Sequence, residues 1–148
     1  MIDLHRIRRY ALSTFACGPY SIHGPDHWQR VEDVGLELAR DTGADETVVS
    51  LFAILHDSCR QNDGRDPFHG PRAADMLGSI AADLLDLDRE RLVLLEHAIR
   101  HHTAGLTSTD PTIGTCWDAD RLDLGRVGMR PRERFMSTWA GRRRARRL

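Results

Sequence analysis

Imidazole and carboxylate groups recur along this chain in a way suited to holding a divalent cation. They are His27, the adjacent pair His56-Asp57, His69, the pair His101-His102, and Asp120 within the acid-rich run Trp117-Asp118-Ala119-Asp120-Arg121-Leu122-Asp123. The His56-Asp57 pair matters most, because it closes the apolar run Leu51-Phe52-Ala53-Ile54-Leu55. A carboxylate left alone in apolar surroundings costs several kcal/mol, so a buried aspartate is neutralised, paired or coordinated. Taken by itself the pair also fits a plainer description, an exposed helix-end carboxylate beside a satisfied core histidine. Mixed nitrogen and oxygen donors suit iron, manganese, zinc, cobalt or nickel, whereas so many histidines disfavour magnesium.

The elements that must position these groups read as helices with short connections, with no alternating strand and no internal repeat. The expected fold is therefore all-α, a single-domain bundle of six or seven helices over residues 1–148. A first helix suits Leu4 to Ala16, and a second begins at Pro25 and runs through Trp28, Val31, Val34 and Leu38 to a stop at Asp41-Thr42-Gly43. A third runs from Asp45 or Glu46 to His56-Asp57 and is apolar on most of its circumference, so it should be central and buried. Residues 60–67 are polar and turn-rich and read as a surface loop. A fourth helix follows Phe68-His69-Gly70-Pro71, a fifth spans about Asp88 to His102, a sixth about Gly114 to Leu124, and a last one starts near Pro131 and includes Phe135, Met136 and Trp139. If helices two and three form an antiparallel hairpin about Gly43, His27 and His56 lie about 16 and 13 residues from the turn. At about 1.5 Å per residue that is a difference of roughly one helical turn, so the two rings can face one another.

Composition closes off several functions. No apolar run approaches the roughly 20 residues needed to span a bilayer, and the N-terminus lacks a signal-peptide layout, so a cytoplasmic protein is expected. Cys17, Cys59 and Cys116 are odd in number and widely spaced, which indicates small buried residues and neither a disulfide framework nor a thiolate zinc site. All 21 basic residues are arginine, which excludes Schiff-base chemistry and a P-loop lysine. Five of them lie in 142–147, so residues 1–141 carry 16 basic against 22 acidic side chains, a net of −6. That body is a poor nucleic-acid footprint; only weak contact through the arginine tail, expected to be frayed and flexible over 141–148, is left open.

The order His27, then His56-Asp57, then Asp120 resembles the HD-domain superfamily of metal-dependent phosphohydrolases. The local contexts His27-Trp28-Gln29-Arg30-Val31, Leu55-His56-Asp57-Ser58 and Ala119-Asp120-Arg121-Leu122 are similar as well, and the likeness covers roughly residues 20 to 127. The resemblance implies an all-α fold in which these four residues bind one metal. Some branches of the superfamily add two histidines and a second metal. His69, in His69-Gly70-Pro71-Arg72, resembles the first; His102 resembles the second, with His101 as the alternative, His102 being favoured because it continues the apolar face of its helix. One or two divalent transition-metal ions are implied, with Asp57 able to bridge two. The extension typical of cyclic-di-GMP phosphodiesterases after the second of these positions is absent.

What the resemblance implies is hydrolysis of a nucleotide or other small phosphate ester by a metal-activated water. His56 and Asp57 carry the chemistry, and arginines offset phosphoryl charge. Arg30, Arg60, Arg72, Arg100 and Arg121 adjoin proposed ligands in sequence, and Arg30 and Arg121 are preferred. The same ligand order is similar to that of di-iron oxygenases of the superfamily, and a non-catalytic metal- or nucleotide-binding module is a third reading. His23 reads chiefly as a loop residue, His97 as a surface or packing histidine, and Asp118 and Asp123 as solvated or supporting groups that do not ligate. The partner expected is a small phosphorylated molecule.

Overall fold

Local signals set each helix in the computed structural model, which describes all residues, Met1–Leu148. Helices α1 (Leu4–Thr14), α3 (Glu46–Leu55), α5 (Arg89–His101) and α6 (Pro111–Arg121) start behind Asp3, Asp45, Asp88 and Asp110. Each of these aspartates accepts a hydrogen bond from the backbone N–H three residues on, which satisfies one of the orphan donors of a first turn. Helix α2 (Pro25–Thr42) starts with proline at its first position and ends at Gly43, which takes the left-handed φ of 74°. Helix α4 spans His69–Ile80, and α7 spans Trp139–Arg146 behind the capping Thr138.

The chain is thus an all-α bundle of seven helices in one compact domain. Helix α3 is its axis: every residue from Val48 to Leu55 is buried, and the helix packs against α1, α2, α5 and α6. None of the helices is long and apolar enough to cross a membrane. Close approach of α2 and α3 depends on Gly35, where an added Cβ would fall 2.6 Å from Val49 Cγ1.

The structure corrects three expectations outside the metal-ligand set. The sixth helix begins earlier, at Pro111, because Asp110 and that proline form a complete start signal, and a short 3-10 helix, Leu124–Val127, follows it. No single helix runs from Pro131. A 3-10 turn at Glu133–Phe135 is followed by an extended Met136, and α7 starts only after Thr138. The arginine tail is not frayed. Its small residues Ala140 and Ala145 are buried with Leu38, Leu122 and Met136, while Arg144 pairs with Glu37 and Arg143 lies 3.6 Å from Asp41. Counting charges hid this stripe, which seats α7 on α2. Of the cysteines, all free, Cys116 is buried and Cys17 and Cys59 only half-buried.

Gly35→Ala should lower stability by about 1–3 kcal/mol by forcing α2 and α3 apart. Gly78→Ala, in a helical position where a Cβ meets nothing within 4 Å, should be neutral or stabilise by up to about 1 kcal/mol. Thermal unfolding of the two variants side by side tests the contrast.

Candidate metal centre

All the ligand candidates sit at helix ends on one side of the bundle. His27 is the third residue of α2, His56 caps α3 at its C-terminus with Asp57 next to it, His69 opens α4, His102 caps α5, and Asp120 is the penultimate residue of α6. Every one is buried, from His56 at 0% exposed to Asp120 at 9%.

Two groups of donor atoms share Asp57. On one side, His27 Nε2 lies 3.1 Å from His56 Nε2, and both face Asp57 Oδ2 at 3.3 and 3.5 Å and Asp120 Oδ1 at 3.3 and 3.4 Å. On the other, His69 Nε2 and His102 Nε2 are 3.0 Å apart and face Asp57 Oδ1 at 2.9 and 3.3 Å. Atoms that share an ion at about 2.1 Å lie roughly 3.0–3.4 Å from one another for octahedral or tetrahedral angles. The spacing fits.

Each of the four rings directs Nδ1 at an oxygen: His27 at Asp123 Oδ2 (2.7 Å), His56 at the Phe52 and Ala53 carbonyls (3.0 Å each), His69 at the Asp66 carbonyl, and His102 at the Ile99 carbonyl (2.7 Å). A carbonyl or carboxylate only accepts, so Nδ1 carries the proton and donates, leaving Nε2 of the neutral ring as a lone pair. With all four rings neutral, four lone pairs and three carboxylate oxygens converge with no hydrogen-bond donor among them. Asp57 Oδ2 and Asp120 Oδ1 are buried without a hydrogen-bond partner. Buried His/Asp groups so arranged could hold a metal ion, and the Nδ1 contacts are of the kind that fix the tautomer of metal-ligating histidines.

Without a cation, only protons can relieve the crowding. Burial opposes charge on His27, but Asp120, Asp123 and Asp57 outweigh it and raise its pKa to about 10. Burial would likewise raise the carboxyls of Asp57 and Asp120, yet the surrounding imidazoles hold both well below the usual carboxylate range; His56 contributes most to each.

Gly70 lets the second group close. A Cβ there would fall 2.9 Å from the Ile99 carbonyl oxygen and 3.3 Å from His102 Cε1, so the bare backbone brings the start of α4 against the end of α5. His101, the alternative to His102, points elsewhere, its ring 4.7 Å from that of His97.

The arginines sort differently from their sequence neighbours. Arg30 donates from Nε to Asp123 Oδ1 (2.8 Å), so it acts on His27 through that carboxylate and does not face the ligands. Arg72 binds Asp66 and the Cys59 carbonyl, and Arg100 binds Asp75 and Glu96. Arg121, with Arg60 and Arg126, lines a cleft of about 190 Å³ whose floor is Asp57, His69, His102 and Asp120. Arg126 Nη2 lies 3.6 Å from Asp120 Oδ1, and Arg60 Nε 3.7 Å from Asp57 Oδ1. Arg60 Nε, Arg121 Nη2 and Arg126 Nε are buried donors without partners.

Sequence reasoning passed over Arg126, which carries no motif and reaches the site only because the 3-10 turn after α6 folds it back. It also undervalued His23. That ring is buried with Nδ1 3.7 Å from Asp57 Oδ2, and burial lowers its pKa to about 4. The proximity signal was its place one short turn before His27. Asp118 is buried and accepts from the backbone N–H groups of Ser137 and Thr138 and from the Thr138 hydroxyl, tying α6 to the start of α7. Asp123 is the supporting group for His27. Searches against protein-family models, curated proteins and solved structures find no match to this chain.

Asp123→Ala should weaken binding of Mn²⁺ or Zn²⁺ about 10- to 100-fold, because the His27 tautomer is no longer fixed. Metal titration followed by calorimetry, with helix content checked by circular dichroism, reads this. Unchanged affinity would remove Asp123 from the site.

Proposed function

We propose that this chain is a metal-dependent phosphohydrolase that acts on a nucleotide or another small phosphate ester. The observation that carries the reading is the union of the donor cluster with a cleft whose polar wall is arginine. Acceptor atoms that demand cations form the floor, and fixed guanidinium groups with unused N–H donors stand above it. Such a cleft suits a tetrahedral dianion, which needs cations on several sides at once. The order of the ligands along the sequence, similar to that of HD-domain phosphohydrolases, supports the same assignment.

Two ions are part of the proposal, since the two oxygens of Asp57 face separate nitrogen pairs. His27, His56, Asp57 Oδ2 and Asp120 would hold one, and His69, His102 and Asp57 Oδ1 the other, from among iron, manganese, cobalt, zinc and nickel. Divalent ions held there would supply an acidified water as nucleophile at neutral pH and polarisation of the phosphoryl oxygens. The chain supplies the rest. Arg126, Arg121 and Arg60 offset the charge gathering on the phosphoryl group and orient it. His23, neutral at physiological pH, places a ring nitrogen beside Asp57 without adding charge. Arg30 and Asp123 keep the His27 lone pair directed inward.

Asp57→Ala should abolish hydrolysis across a panel of phosphate esters assayed with Mn²⁺, Fe²⁺ or Co²⁺. Arg126→Ala should lower kcat/KM about a hundredfold. Elemental analysis should give two ions per wild-type chain and one for His69→Ala. Absence of turnover on every ester, or a variant Asp57→Ala as active as the wild type, would overturn the assignment; oxygen consumption by the Fe²⁺-loaded chain that depends on an added candidate substrate would replace it with an oxygenase.

A further inference from the structure

Three hollows meet around the short 3-10 helix Leu124–Val127. The metal-facing cleft shares Gly105, Arg121 and Leu124 with an apolar hollow of about 180 Å³, walled further by Met129, Phe135 and Met136. That hollow shares Met129 and Arg130 with a broader one of about 560 Å³, and the broader one returns to the metal cleft at Arg126. They border one another around that helix, and the apolar and broader hollows extend the surface beyond the ligand cluster as a groove of adjoining hollows.

Its charge is one-sided. Arg30, Arg60, Arg121, Arg126, Arg130 and Arg132 line it. Of the acidic residues in its walls, Asp57 and Asp120 face the histidine cluster, while Asp123 is shared between His27 and Arg30, which leaves Arg130 and Arg132 as the exposed arginines without an acidic partner. The same segment gives the molecule its polarity: residues 126–148 contain nine arginines and one acid, a net of +8, while residues 1–125 have a net of −9.

Along the groove, a cationic stretch at the metal cleft gives way to an apolar wall with the half-exposed Phe135 and then to a second cationic stretch at Arg130 and Arg132. A single small phosphate ester would use only the first of these, and a mononucleotide the first two, its base on the apolar wall; neither reaches the second cationic stretch. Inorganic polyphosphate would leave the apolar wall unmatched. A chain that alternates phosphates with flat rings matches all three, because each base stacks on an aromatic or thioether face while the flanking phosphates meet arginine. A paired duplex hides those faces.

We propose that this groove binds a single-stranded nucleic-acid segment. One phosphate lies at the metal cleft, the adjoining base lies against Phe135 and Met129, and the next phosphate lies at Arg130 and Arg132. The inference rests on the preceding assignment only in taking the cleft as a phosphate site, and binding is read separately from hydrolysis.

The test uses the full, metal-loaded chain and a fluorescein-labelled ten-residue oligothymidylate, followed by anisotropy at several salt concentrations. Saturable binding is expected, with log affinity falling against log salt at a slope of about −1.4, as for two phosphate contacts on a single strand. The double variant Arg130→Glu/Arg132→Glu should weaken binding at least tenfold and Phe135→Ala about tenfold, while Arg89→Glu, on the exposed start of α5, changes nothing. The proposal is overturned by an absence of saturable binding, by equal losses in the Arg89 variant, or by polyphosphate competing as well as oligothymidylate with Phe135→Ala without effect. Binding without turnover of any ester supports the groove and sinks the hydrolase; turnover of small esters without oligothymidylate binding does the reverse.

Discussion

Seven acceptor atoms held about three ångströms apart inside a protein repel one another, and the rest of this structure can be understood as the frame that keeps them there. Asp57 is at the centre, with each oxygen turned to a different pair of imidazoles. Hydrogen bonds behind the rings forbid the easy escape, which would be rotation of an imidazole to offer a proton. Three of the four rear partners are main-chain carbonyls of a turn near the ligand itself, so the tautomer is set by helix geometry and the backbone does what a dedicated side chain does for His27.

That frame explains why the ligands are all at helix ends. A residue inside a helix is held by turns on either side and points where the helix axis dictates. A residue at an end projects into the space where several helices finish together, and five helices finish or begin here. The cost falls on packing, since elements must approach closely enough for the rings to touch. Gly35 and Gly70 meet it at two places by removing a side chain where backbone or methyl groups would otherwise collide.

Much of this was legible before the coordinates. Helix number and fold class followed from apolar periodicity and from capping residues, because both act within a few residues of chain. The meeting of His27 and His56 followed from counting outward from Gly43. What the sequence hid was long-range. Arg126 is an ordinary arginine until a 3-10 turn folds it against Asp120, and Arg30 looked like a cleft residue until Asp123 intercepted it. The tail misled for a different reason. Its arginines dominate any reading by composition, whereas its seat on α2 depends on two alanines, a cap at Thr138 and the buried Asp118 beneath it.

The choice of arginine for every basic side chain has a consequence of its own. Guanidinium groups keep their protons far above neutrality, even where burial lowers the pKa as at Arg121, so the positive wall of the cleft and groove is a constant of the molecule through the range in which proteins are handled. A lysine-lined cleft would lose charge near the top of that range and shift its field as it did so. Here the electrostatic background does not titrate. A phosphate held at that wall therefore meets the same fixed positive field across that range, and the wall itself adds nothing to any change of behaviour with pH.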